Sequence, residues 1–263
     1  MPTLIELGSL QEQIKLCRDL SLGFVELNCN IPQYSPYELD PQLLNKMSSK
    51  YGIEFTLHLP EELDVSSFHV PVREGHLRYC KYSMEWAAKV GISLLNMHLN
   101  KGTYFTLPYE KVWLYEKYMD RYIHSISESY RQIDSIAYEH GIMVCVENTG
   151  DFDLPFIRKV LPMILSNNSI YLTWDIGHDA SVKYCDKEIM LENQNKIRHM
   201  HLHDADNDKS HLPLFTGKVN IYESIAFAAK HNLRIVIETK TISALEESVR
   251  MIKKYILKDE CGY

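Results

Sequence analysis

The chain has 263 residues, of which 45% are hydrophobic and 24% are charged, and its formal net charge is -7. This length and apolar content suffice for one large core, so we expect a single domain over residues 1–263. The acidic balance disfavours a nucleic-acid partner, no apolar run approaches the roughly 18 residues of a membrane span, and the opening MPTLIELGSL lacks a leader pattern, so we expect a cytoplasmic protein.

Short apolar runs alternate along the chain with longer stretches of helical periodicity, such as LQEQIKLCRDL and YIHSISESYRQIDSIAYEH. This alternation is typical of βα units around a parallel sheet. The eight predicted strands, in chain order, are TLIEL from Thr3, FVELN from Phe24, EFTLH from Glu54, LLNMH from Leu94, MVCVE from Met143, YLTWD from Tyr171, RHMHL from Arg198 and RIVIE from Arg234. Eight such units predict an α/β fold of the (β/α)8 TIM-barrel type.

A carboxylate or an imidazole stands at or near the end of every predicted strand, where a TIM barrel places its catalytic groups. In chain order these residues are Glu6, Glu26, His58, His98, Glu147, Asp175, His201 and Glu238. The alternative interpretation of any one of these residues is a polar strand end that lies half in solvent and has no function. A strand buried on both faces should nevertheless read as nearly continuous Val, Ile and Leu.

The polar strand ends are more informative together than singly, because the parity of each strand predicts whether its side chains point into the barrel. Side chains alternate across a strand, so the parity that turns Cys145 inward also turns Glu147 inward, and Asn96 does so with His98. Converging carboxylates raise each other's pKa unless a cation neutralises them. Histidine, aspartate and glutamate together are ligands for Zn²⁺, Mn²⁺ and related ions, so we predict a divalent metal site at this end of the barrel.

Several motifs in this order resemble the xylose isomerase-like TIM-barrel superfamily, which contains sugar isomerases and epimerases and endonucleases of the endonuclease IV type. The motifs are LGFVELN, HLP, NMHLNKG, VENTG, WDIGHDA, HLHDAD, HLPLFTGKVN and VIETK. WDIGH followed by HLHD and a late IE is the specific part of the set. HLP alone is weak.

The resemblance implies a metal ligand set and several accessory residues. Its four metal ligands would be Glu147, Asp175, His201 and Glu238. His178 would lie near a sugar substrate in the epimerases and bind a further metal in the endonuclease type, in which His58, His98 and His211 match the remaining histidine ligands. One carboxylate of that type is replaced by Lys209, with Asp208 beside it, and this departure counts against a full three-metal cluster.

Three functions are compatible with this reading. The first is a sugar or sugar phosphate isomerase or epimerase that uses Mn, Mg, Co or Zn, in which Glu147 and Glu238 move a proton through an enediolate and His178 holds substrate oxygens. The second is a multinuclear phosphodiester hydrolase, and the third is a non-catalytic sugar-binding barrel. The expected partner is a small carbohydrate, and the sequence leaves room for a homo-oligomer.

Further pocket residues follow from the positions of loops and strand ends. We expect a substrate pocket that contains Glu26, Asn28, Lys101, Tyr104 and Lys240. Asp204, just beyond the strand that carries His201, is expected to orient that imidazole as a hydrogen-bond partner.

Overall fold

A computed structural model describes residues 1–207 and 209–255. Its strands, in chain order, are β1 (Phe24–Asn28), β2 (Glu54–His58), β3 (Leu94–His98), β4 (Tyr104–Thr106), β5 (Lys111–Trp113), β6 (Met143–Glu147), β7 (Ile170–Asp175), β8 (Ile197–Leu202), β9 (Asp204–Asp206), β10 (Lys209–Leu212) and β11 (Arg234–Ile237). Seven of them form a parallel sheet in the order β1-β2-β3-β6-β7-β8-β11, the nearly closed barrel of a TIM fold. The predicted fold class is therefore confirmed.

Helices follow the barrel strands and cover the outside of the sheet. They are α1 (Leu10–Asp19), α2 (Pro41–Tyr51), α3 (Val70–Lys89), α4 (Leu114–Lys117), α5 (Met119–His140), α6 (Pro155–Leu165), α7 (Ile176–Ser181), α8 (Lys187–Glu192), α9 (Ile221–Lys230) and α10 (Ile242–Tyr255), with 3₁₀ turns at Pro32–Tyr34 and Gln194–Lys196. Local signals set several of their ends. Asp40 caps the first turn of α2 through its side chain, and Gly141 ends α5 in the left-handed conformation, with φ of 64°.

The first predicted strand is the one that the structure does not form. The N-terminal segment contacts the sheet through a single β-bridge, between Pro2 and Glu26, and the Thr3 N–H donates to the Glu26 carbonyl. Glu6 instead turns outward, where its side chain accepts a hydrogen bond from the N–H of Ile242 at the start of α10. The run TLIEL is too short for its apolar pattern to distinguish a strand from an extended segment.

Two antiparallel hairpins, β4 with β5 and β9 with β10, lie in the connections that follow β3 and β8. Neither hairpin was predicted from the sequence, because both are short and polar or aromatic. No helix in the described part of the chain is long and apolar enough to cross a membrane.

The polar side chains that point into the barrel form connected layers below its carboxyl end. Thr56 donates to Glu26, and Thr173 donates to Asn96, each contact crossing between strands. Trp174, of opposite parity, packs edge-on against Phe227 of α9 in the helical layer. The inward parity read from the sequence for Asn96 is thus that of the structure.

Candidate metal centre

Four side chains converge at the carboxyl end of the barrel from four different strands. Glu147 ends β6, Asp175 ends β7, His201 lies on β8 and Glu238 directly follows β11. One ligand atom from each lies within 4.8 Å of those from the other three. The exposed fractions of these residues are 1%, 0%, 0% and 9% in the same order, so the group is closed to bulk water except beside Glu238.

The His201 ring points one nitrogen at the three carboxylates. Its Nδ1 lies 3.4 Å from Glu147 Oε1, 3.8 Å from Asp175 Oδ2 and 3.1 Å from Glu238 Oε2. Within the described residues, His201 Nδ1, Asp175 Oδ2 and Glu238 Oε2 are buried and have no hydrogen-bond partner. Buried polar atoms are rarely left without partners, and three carboxylates with one imidazole are a ligand set for a divalent cation. These four residues fit the metal that the resemblance implies.

Local backbone contacts fix the orientation of Asp175. Its Oδ1 accepts the N–H of His178 at 2.6 Å, as the N-cap of α7, and its own N–H donates to the Asn148 side chain at 2.7 Å. One carboxylate oxygen is therefore used by the turn. The other, Oδ2, is left to face His201.

Glu147 is held from the opposite side. Its Oε2 accepts a short hydrogen bond from the Asn96 side-chain amide and lies 3.4 Å from His58 Nε2 and 3.5 Å from His98 Nε2. His58 Nδ1 lies 2.7 Å from the Leu59 carbonyl, to which it can only donate. This contact assigns the Nδ1 hydrogen to His58 and turns Nε2 toward Glu147.

Charge compensation within the group shifts the ionisation of its members. Burial alone would raise the pKa of Glu147 and of Glu238. The facing imidazoles, with His201 the largest contributor, and Lys240 beside Glu238 together outweigh burial and hold both pKa values well below 4.5. Conversely, burial lowers the pKa of His201, and the carboxylates of Glu147, Glu26 and Glu238 together raise it well above 6.5. Burial also lowers the pKa of His58, yet Glu147 raises it to about 9. Without a cation, protonated imidazoles therefore balance the carboxylates.

Three further groups of possible ligands adjoin the four-residue centre. His58 and His98 form one with Glu147, Glu26 and His199 form another with His201, and His178, His203 and His211 form the last. Burial lowers the pKa of His211 to about 4, with help from His203, so this imidazole is neutral at pH 7 and available as a ligand. His203 was not among the site residues predicted from the sequence. Its signal was the alternation of His199, His201 and His203, which share one parity.

A cleft of about 530 Å³ opens above the centre. Its lining includes most of the predicted site residues: His58, His98, Lys101, Glu147, His178, His211, Glu238 and Lys240. Glu61, Asn100, Thr149 and Asp151 complete its polar rim and were not predicted. Both lysines are paired, Lys101 with Asp151 at 2.8 Å and Lys240 with Glu238 at 2.7 Å.

Three residues predicted for the substrate pocket lie elsewhere. Glu26 is 2% exposed and points into the barrel interior, toward His199 and His201. Asn28 uses its side chain to accept the N–H of Asn30 in the following turn. Tyr104 lies on the β4–β5 hairpin, where its ring packs against Trp113 and is 43% exposed. Strand ends and loop positions alone did not show which way these side chains would turn.

The expectation that Asp204 orients His201 is also wrong. Both oxygens of the Asp204 carboxylate accept backbone N–H groups, from Ala205, Gly217 and Val219, at 2.8 to 2.9 Å. Asp204 thereby closes the LPLFTGKVN loop. Lys209 is exposed, and Asp208 lies outside the described residues.

Comparison with known families identifies the family of the chain. A family model described as "Xylose isomerase-like TIM barrel" matches residues 14–255. The chain belongs to this family. A further relative, an uncharacterized protein of Methanocaldococcus jannaschii, is 26% identical over 254 residues, which cover 94% of this chain and 90% of that protein.

Solved structures agree on the architecture of this xylose isomerase-like barrel. A D-tagatose 3-epimerase-like protein superposes with a TM-score of 0.79 at 21% identity and covers 99% of both chains. A family 2 AP endonuclease from Brucella melitensis superposes with a TM-score of 0.71 at 13% identity and covers 97% of this chain and 96% of its own. At these identities the likeness shows the fold, and the reaction has to be argued from the site.

Proposed function

We propose that this protein is a divalent-metal-dependent isomerase or epimerase of a sugar or sugar phosphate. The observation that carries the proposal is the placement of Glu147 and Glu238. They come from β6 and from the end of β11, both reach the floor of the cleft, and both belong to the four-residue centre with Asp175 and His201. Two carboxylates at one reacting position are what proton removal and return require.

When bound by these four residues, a divalent cation polarises a substrate carbonyl, acidifies the neighbouring C–H bond and stabilises the developing enediolate. Glu147 and Glu238 perform the proton transfers. In an epimerisation, one carboxylate accepts the proton from the carbon beside the keto group and the C–H electron pair enters the enediolate. The other carboxylate then delivers a proton to the opposite face of the same carbon. Atoms and electrons balance without a further reactant.

Neighbouring side chains support this chemistry by holding the substrate and the carboxylates. His178, half-buried at the cleft wall, presents its ring to the substrate hydroxyls, while its backbone N–H fixes Asp175. Lys240 holds Glu238 Oε1 and so restricts rotation of that carboxylate. Lys101, bound to Asp151 at the rim, lies where a hydroxyl or phosphate of the substrate would enter.

The charge of the cleft favours a small carbohydrate over a nucleic acid. Its lining contains four carboxylates, from Glu61, Glu147, Asp151 and Glu238, against the two paired lysines. A site for a polyanionic backbone would present unpaired cationic side chains. The net charge of -7 points the same way.

The experiment is hydrogen exchange during turnover. The Mn²⁺-loaded protein is incubated in D₂O with a panel of ketopentoses, ketohexoses and their phosphates, and NMR detects deuterium at the carbon beside the carbonyl. Deuterium incorporation with appearance of the epimer or aldose is expected, and E147Q and E238Q should abolish it. E62Q, at an exposed glutamate outside the cleft, is the matched control. Failure of every sugar to exchange, with the cation bound, would contradict the proposal.

A second candidate is a multinuclear phosphodiester hydrolase. The group formed by His58, His98 and Glu147 favours it, because a one-cation epimerase has no need of a second ligand set that shares Glu147. Two cations a few ångströms apart would generate hydroxide and clamp a phosphate. The group of His178, His203 and His211 is compatible with this reading.

Metal stoichiometry separates the two candidates. Elemental mass spectrometry on protein purified without chelator or added metal should give about one ion per chain for the isomerase. A content of two or three, reduced by H58A with H98A, would support the hydrolase and direct assays to phosphodiesters and abasic DNA. The same double variant would leave the content unchanged in a one-cation enzyme.

A further inference from the structure

Glu26 forms a charged contact below the proposed metal centre that the reaction itself does not use. It lies on β1, across the barrel interior from His199 and His201 on β8. Its Oε2 is 2.8 Å from His199 Nε2 and accepts a hydrogen bond from Thr56 Oγ1 at 3.1 Å. Its Oε1 is 2.8 Å from His201 Nε2. Both imidazoles are fully buried, and Glu26 itself is 2% exposed.

These contacts determine which ring nitrogens carry hydrogen. A carboxylate oxygen accepts hydrogen bonds and cannot donate them, so a nitrogen at 2.8 Å that lacked a hydrogen would place two lone pairs against each other. His199 therefore carries a hydrogen at Nε2, which it donates to Glu26 Oε2. His201 Nε2 lies 2.8 Å from Glu26 Oε1 without the alignment of a hydrogen bond, and the same repulsion between lone pairs assigns a hydrogen to this nitrogen as well. For His201 this leaves Nδ1 as the ligand nitrogen, and Nδ1 is the atom that faces Glu147, Asp175 and Glu238.

The other contacts of Glu26 keep its carboxylate in this position. His199 and Thr56 both bind Oε2, so the carboxylate cannot rotate about its last bond without losing both. Among the described residues, the ion-pair partners of Glu26 within 4 Å are the two imidazoles. The negative charge of Glu26 therefore acts on the imidazoles of His199 and His201.

We propose that Glu26 is the positioning residue of the metal centre: it fixes the tautomer and ring orientation in which His201 Nδ1 binds the cation, with His199 and Thr56 holding Glu26. This inference rests on the cation site of the proposed function. Carboxylate partners of metal-bound histidines have this effect, and their loss lowers metal affinity by about 10- to 100-fold.

The test compares E26L and E26Q with the wild-type chain. Leucine removes both acceptors at nearly constant volume, and glutamine keeps one acceptor oxygen, which can serve one imidazole N–H at a time. Zn²⁺ affinity, measured by competition with a chelator, should fall about 10- to 100-fold in E26L and less in E26Q. C145A, a truncation of an inward-facing side chain on β6 one layer below Glu147, controls for loss of interior packing and should retain wild-type affinity.

A second readout follows the imidazole hydrogens directly. In cation-free protein labelled with ¹⁵N-histidine, at a pH above the raised pKa of His201 so that its ring is neutral, ¹H–¹⁵N correlation spectra should show exchange-protected N–H groups at Nε2 of His199 and His201, assigned with H199Q and H201Q. E26L should lose the His201 signal. Unchanged Zn²⁺ affinity in both Glu26 variants, or a His201 Nε2 without hydrogen in the wild type, would overturn the proposal.

The two readouts also separate this inference from the proposed function. If the wild-type chain bound no divalent cation, the metal-dependent reaction would be wrong. Loss of the His201 Nε2 hydrogen in E26L would still support the inference that Glu26 fixes the tautomer and orientation of that ring. If E26L failed to fold, E26Q would supply both measurements, since it preserves the size and shape of the side chain.

Discussion

A β-carbon on Gly177 would lie 2.0 Å from Cε1 of the His203 ring. Gly177 is the fourth residue of the WDIGH turn at the start of α7, and His203 directly follows β8. The missing side chain lets the buried imidazole pack against the turn, with His203 Nε2 3.2 Å from Asp175 Oδ1. Asp175, its turn and a neighbouring histidine are therefore packed as one unit.

Substitution of Gly177 by alanine should disturb that unit. The added methyl group must displace either the ring or the turn, and overpacking of this kind costs about 1 to 3 kcal/mol. We expect G177A to lower the free energy of unfolding by this amount in a urea titration. We expect it to weaken cation binding as well, because Asp175 moves with the turn. The double variant G177A/H203A removes the clashing ring, and a stability no higher than that of G177A would refute this explanation.

Asp175 should be indispensable for cation binding. D175N keeps the size of the side chain and one acceptor oxygen but removes the negative charge that faces His201. Since loss of a residue that merely supports a ligand costs about 10- to 100-fold in affinity, loss of a ligand should cost at least as much. Calorimetry with Co²⁺ or Zn²⁺ measures the change. D153N, at an exposed aspartate near the cleft, is the control, and equal affinities of the two variants would remove Asp175 from the ligand set.

Cation binding should release protons near pH 7. The facing carboxylates raise the pKa of His201 well above 6.5 against the effect of burial, so this ring is protonated before a cation binds. A ligand nitrogen must be deprotonated, so each cation that binds His201 displaces about one proton, and the apparent affinity rises with pH up to the pKa of His201. Titration calorimetry in two buffers of different ionisation enthalpy gives the number. A binding heat that does not depend on the buffer would contradict this linkage.

Asn96 should contribute to both stability and the site. It donates to Glu147 and accepts from Thr173 in the barrel interior, where all three side chains are buried. N96L removes both contacts and leaves two buried polar groups unpaired, which costs about 1 to 3 kcal/mol for each group. Denaturant unfolding should show this loss. T173V breaks only one of the two contacts, so its loss should be smaller, and equal losses would show that the contact to Glu147 contributes nothing.

The fold and most of the cleft followed from sequence because the relevant residues sit at the ends of parallel strands, whereas the family followed from the resemblance of an ordered set of motifs. Period-two alternation fixes which side chains turn inward, and the carboxyl ends of neighbouring strands meet at one end of a barrel. Glu147, Asp175, His201 and Glu238 therefore came together as expected. The same reasoning placed His58 and His98 at the cleft, where the structure has them.

What the sequence could not show was how far each side chain reaches and in which layer it ends. Glu26 shares the inward parity of the site residues, yet it spans the barrel below the centre, because the tilt and stagger of the strands set the depth of each residue. The Asp204 carboxylate accepts three backbone N–H groups of a loop instead of binding His201, and the path of that loop depends on the folded chain.

The sequence by itself determined the barrel and the end at which its polar groups gather, since these depend on local periodicity and on the direction of the chain. Its resemblance to the family named the four side chains that converge there. Only the tertiary structure decided that Thr3–Leu7 forms no strand, that His203 joins His178 and His211, and that Glu26 faces His201. These relationships join residues far apart in the chain. They depend on strand stagger and loop packing, which no short stretch of sequence encodes.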